Sequence, residues 1–169
     1  MGIKVPWVQL FDLTLEYDMS LTDCILILSE CLMLKTAMFQ RVGQMPFKNF
    51  LQSRHRLSHL QCLKIQSIDG LSPFFESFEL PSLKEADFEL GMDEDDDGDS
   101  QVNIVDEWEE QPFLDFLRHT CLQRLTLKAP ISEAHLVECL KIISPTVQIL
   151  CVTSELSVWK SGYVTGKRP

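Results

Sequence analysis

The side chains of this sequence that could do chemistry are few, and their spacing decides what they can be used for. The densest group is Asp93-x-Asp95-x-Asp97-Gly98, which has the spacing of the first half of a calcium-binding EF-hand loop. Such a loop closes on a bidentate glutamate at its twelfth position, but that position here is Ile104, and the eighth, where an apolar residue belongs, is Ser100. No tight calcium site is expected. His55 and His59 stand four apart, a spacing that puts both on one helical face, yet no glutamate follows His55 as a zinc protease needs. They read as the end of a surface helix. His119 and Cys121 lie two apart at a helix-to-strand junction, where neighbouring side chains diverge, so no thiol–imidazole pair is expected. The cysteines are Cys24, Cys31, Cys62, Cys121, Cys139 and Cys151. None forms a Cys-x-x-Cys pair, and the four histidines do not complete a zinc set. They read as buried thiols of a reducing compartment. The expectation is a chain with no catalytic residue, no metal, no cofactor and no enzymatic activity.

The whole chain, 169 residues with 45% apolar content, is long and apolar enough for one domain with a core. No long uncharged apolar stretch and no charged-then-apolar leader occurs, so neither a membrane span nor secretion is predicted, and the expected location is cytoplasmic or nuclear. The net charge of −10 is local. Residues 91–111 hold ten acids and no base, leaving 25 − 10 = 15 acids against 15 bases elsewhere. A near-neutral body with one acidic insertion lacks the clustered basic face that nucleic acid requires. The insertion itself reads as solvated and disordered.

The elements that must position everything else repeat along the chain. Six segments follow the pattern apolar-x-x-apolar-x-apolar: Leu10/Leu13/Leu15, Leu34/Ala37/Phe39, Leu60/Leu63/Ile65, Leu83/Ala86/Phe88, Leu122/Leu125/Leu127 and Val147/Leu150/Val152. Their first positions lie 24, 26, 23, 39 and 25 residues apart. Four intervals match a leucine-rich repeat, and the long one contains the acidic run, so one insertion explains both the broken period and the charge. Helical signals fall between the segments: Ser20 capping a run to Leu34, an apolar face at Phe47, Phe50 and Leu51, Ser72 capping a helix with Pro73 first, a helix from Pro112, and Ser132 capping one with Leu136, Leu140 and Ile143 on one side. Ser20 follows Leu13 by seven residues, as Ser132 follows Leu125. The expected fold is α/β: a leucine-rich-repeat solenoid of about six irregular repeats, with parallel strands on a concave face and helices outside. Leu13, Leu63, Leu125 and Leu150 are expected in the core. The alternative is an ordinary α/β domain of similar strand–helix alternation.

The run from Leu13 through Leu21-Thr22-Asp23 to Cys31 and Leu34 resembles the cysteine-containing leucine-rich repeat. Pro130-Ile-Ser-Glu, Leu136-Val-Glu-Cys-Leu and the opening Pro6, Trp7 and Leu10 resemble the degenerate repeats of fungal F-box proteins. This resemblance spans roughly residues 6 to 153 and implies the substrate-recognition half of a ubiquitin-ligase receptor. The F-box itself, a helical segment of about 45 residues in that family, has no counterpart before the first repeat. A ligase adaptor is therefore a partner only if an F-box lies outside these 169 residues, and the single domain is expected to be incomplete at both ends.

Strand alternation selects the face for a protein partner. With Leu13 and Leu15 inward, Asp12, Thr14 and Glu16 point outward. Thr36, Met38 and Gln40 do the same, as do Cys62, Lys64 and Gln66, then Glu85, Asp87 and Glu89, and last Arg124, Thr126 and Lys128. An acidic column beside a basic one would suit a mixed-charge protein surface. The expected function is protein–protein interaction, as the receptor half described above or, alternatively, as a free-standing scaffold or inhibitor unrelated to ubiquitin.

Overall fold

A computed structural model describes residues 6–43, 54–91 and 110–153. A single 3-10 turn, Trp7–Gln9, leads into β1 (Asp12–Leu15) and β2 (Met19–Ser20), followed by α1 (Leu21–Glu30) and β3 (Thr36–Gly43). Then come β4 (His55–Arg56), β5 (Cys62–Ser67), α2 (Ser72–Ser77), β6 (Phe78–Glu79) and β7 (Glu85–Leu90). The chain continues through α3 (Glu110–Arg118), β8 (Arg124–Lys128), α4 (Glu133–Ile143) and β9 (Ile149–Thr153). The protein is mixed α/β. Its main sheet has seven strands in the order β1-β3-β5-β7-β8-β9, with β2 also beside β3, and every pairing is parallel. No described helix is long and apolar enough to cross a membrane.

Parallel neighbours need a crossover, and among the described residues a helix lies in four of the five crossovers. The six apolar segments fall in strict register. Leu13, Ala37, Leu63, Ala86, Leu125 and Leu150 form one row across the sheet, and Leu15, Phe39, Ile65, Phe88, Leu127 and Val152 form the next. Small and large residues compensate along two of the strands: Ala37 precedes Phe39, and Ala86 precedes Phe88. Apart from Leu150, these rows join the apolar sides of the helices in one cluster, with Leu15 and Val152 partly buried against it. Phe88 lies edge-on to Phe75 at 5.3 Å, and Phe75 packs on Phe113 and Phe116 at 5.0 and 5.1 Å, which ties α2 and α3 to the sheet. Leu13, Leu63 and Leu125 are buried as expected, but Leu150 is 38% exposed. β9 is the outer strand of the described sheet, so Leu150 has a neighbour on one side only.

A second ladder runs just ahead of the strands. The carbonyl of Phe11 accepts the N–H groups of both Lys35 and Thr36, at 2.7 and 3.1 Å. The carbonyl of Lys35 does the same for Gln61 and Cys62, that of Gln61 for Lys84 and Glu85, that of Lys84 for Gln123 and Arg124, and that of Gln123 for Gln148 and Ile149. The long interval between β7 and β8 leaves this arrangement unbroken.

Helix starts follow the predicted chemistry at two of three sites. Ser20 accepts from the Asp23 N–H at 3.0 Å and Ser132 from the His135 N–H at 3.3 Å, satisfying donors that a helix start leaves without partners. At α2 the cap is Leu71, without a side-chain bond, and Ser72 is already helical. α1 stops at Glu30, earlier than Leu34, because Cys31 leaves helical geometry at φ −94° and ψ 65°. α3 starts at Glu110, two residues before Pro112, with the proline within its first turn. In α4 the buried side is Cys139 and Ile143, while Leu140 is exposed. His55 belongs to β4 and not to a helix end; β4 pairs with β6 in a separate two-stranded parallel sheet, and the His55 ring lies 5.9 Å from that of Phe78. The helical face at Phe47, Phe50 and Leu51, the half calcium motif at Asp93–Gly98 and residues 92–109 of the acidic insertion lie outside the described residues.

Candidate protein-binding face

The side of the main sheet away from the core is built by the residues between the buried rows. In β1, β5 and β7 an inward leucine, alanine, isoleucine or phenylalanine alternates with a more polar outward neighbour, which fixes the whole column of each strand. Asp12, Thr36, Cys62, Glu85, Arg124 and Ile149 line up across the strands, and Thr14, Met38, Lys64, Asp87, Thr126 and Cys151 form the parallel row. Gln66, Glu89, Lys128 and Thr153 continue a third row, while Glu16 lies just past the end of β1. The structure thus brings the predicted columns onto one sheet.

Registered strands lie about 4.8 Å apart, close enough for side chains directly opposite to meet. Three registered pairs on this face join opposite charges, and they behave differently. Lys64 Nζ lies 3.3 Å from Asp87 Oδ2, with both side chains more than a third exposed or nearly so. Lys128 Nζ donates to Glu89 Oε1 at 2.7 Å. Glu85 and Arg124, also in register, form no ion pair within 4 Å among the described residues, and both are exposed. The acidic and basic columns therefore satisfy much of each other's charge, and the carboxylates of Asp12, Glu16 and Glu85 and the Arg124 guanidinium are the exposed charges left over.

Glu89 corrects the expectation of an outward, accessible residue. It is only 8% exposed, because its carboxylate turns onto the Lys128 ammonium instead of toward water. A buried carboxylate needs such a partner to offset the loss of hydration. Cys62, Lys64, Gln66, Asp87, Thr126 and Lys128 are half-buried, whereas Asp12, Thr14, Glu16, Glu85 and Arg124 are exposed.

Against the expectation of buried thiols, Cys121 and Cys151 are exposed and Cys62 is half-buried, because their positions face away from the core; only Cys24, Cys31 and Cys139 are buried. Cys24, Cys31, Cys62 and Cys139 are held in the protonated form. Burial pushes the Cys62 thiol up, the Glu85 and Asp12 carboxylates add to the effect, and Lys84 opposes it. Burial also raises Cys24 and, with help from Glu30, Cys31, and pushes Cys139 up to about 11. A thiol held protonated is a poor nucleophile and a poor metal ligand.

One cluster away from the sheet face gave no signal in the sequence. The Ser132 hydroxyl and the Glu110 carboxylate both meet Nδ1 of His135. A relay from hydroxyl to carboxylate through imidazole uses the two different ring nitrogens. With both partners on one nitrogen, the trio closes the start of α4 against the start of α3. Among the described residues, no group of three or more His, Cys, Asp or Glu side chains is placed to hold a metal ion.

Compared with known proteins, the chain matches no family model, no curated protein sequence and no solved structure.

Proposed function

We propose that the protein is a leucine-rich-repeat solenoid that binds another protein through the outward face of its main sheet, and that it acts by binding and not by catalysis. The observation that carries this reading is the register. Five consecutive crossovers return the chain to the same row, so Asp12, Glu85 and Arg124 stand on one broad surface while the helices take the other side. Repeats of near-constant length that stack a strand and a helix per unit bury a continuous core and leave an extended face for partners. The mixed exposed charges fit a protein surface of mixed charge, for which complementarity sets partner choice and encounter rate.

Within this reading, the resemblance to F-box receptors favours recognition of a ubiquitin-ligase substrate, and the other version is a scaffold or inhibitor with no ubiquitin connection. Both share the same test of the face. The tagged full gene product is used to capture partners, alongside a variant carrying Asp12→Lys, Glu85→Lys and Arg124→Glu and a control carrying Glu138→Gln and Lys141→Gln on α4. The expected result is a set of proteins retained by the wild type and the control and lost by the face variant. Identical capture by all three would overturn the binding-face reading. Co-capture of a ligase adaptor by the full gene product separates the receptor from the scaffold.

A further inference from the structure

We draw no further inference here: the strongest candidate, the outer edge of the sheet at β9, where Leu150 of the core row is left exposed, carries nothing because nothing in the structure shows what covers it.

Discussion

Leu125→Ala is the sharpest test of the registered core. Leu125 is 1% exposed and sits in the row between Ala86 and Leu150. The substitution removes three carbons from that side chain, a transfer loss of about 2.4 kcal/mol at about 0.8 kcal/mol per buried carbon group. A cavity term adds to this in proportion to the space left open. Ala86, held on an inner strand, has no side-chain length with which to fill the space, whereas Leu150 on the outer strand can lean in. The expected total is about 3 kcal/mol, within the range for buried leucines. The same change at Leu150, already 38% exposed, should cost about half as much, roughly 1.5 kcal/mol, since only the buried part of the side chain loses transfer energy and no closed cavity is left. Urea unfolding of both variants, compared at unchanged slope, reads the difference directly. Equal costs at the two positions, or a Leu125→Ala loss below about 1 kcal/mol, would refute the claim that β8 lies inside a continuous core and β9 at its margin.

Lys128→Met should destabilise by about 1–3 kcal/mol because it strands the buried Glu89 carboxylate, while Lys64→Met should cost under about 1 kcal/mol, since Asp87 keeps contact with water. A thermal scan in which both variants behave alike would show that Glu89 does not depend on Lys128. Burial lifts the Cys139 thiol from 9.0 to about 11, so the folded chain holds that proton more tightly than the unfolded chain. Its stabilising contribution is complete below pH 9 and is lost as the pH rises through about 11. Cys139→Ala should therefore flatten the alkaline fall in urea midpoint; parallel curves for variant and wild type would rule this out. Replacing residues 93–106 with a short Gly/Ser linker should leave the melting temperature within a few degrees, because β7 and β8 keep register and loop-closure entropy changes slowly with length. A large drop in the melting temperature would mean that the core depends on the replaced residues.

The strands were legible because each repeats the same demand: one side chain in, one out, with a leucine anchoring the approach. That is why Leu34, Leu60, Leu83 and Leu122 are all buried immediately ahead of their strands. Ser20 and Ser132 were legible for a different reason, since a serine ahead of an apolar periodic run has a donor to satisfy three residues on. β2, β4 and β6 were not legible; two residues carry no period, and their pairing depends on the approach of distant chain. On the candidate face, alternation told which side Glu89 takes but not that a neighbouring amine would cover it. Nor does alternation distinguish an inner strand from an outer one, which is what separates Leu125 from Leu150. The Ser132–His135–Glu110 contact joins two helix starts across 22 residues and leaves no local pattern to read.

The doubly accepting carbonyls ahead of the strands also set an order in time. A ribosome makes each acceptor before its two donors, so a unit cannot close its own carbonyl until the next unit has emerged. Phe11 waits 24 residues for Lys35, and Lys84 waits 39 for Gln123. At roughly 5–20 residues per second the longer delay is about two to eight seconds. During it β7 shows an unpaired edge with Phe88 beside it, the kind of edge at which nascent chains stick to one another. Among the residues made in that interval are the ten carboxylates between 91 and 111, and like charge of this kind on two chains opposes their association. The acids thus fall within the longest of the five intervals between an acceptor carbonyl and its donors.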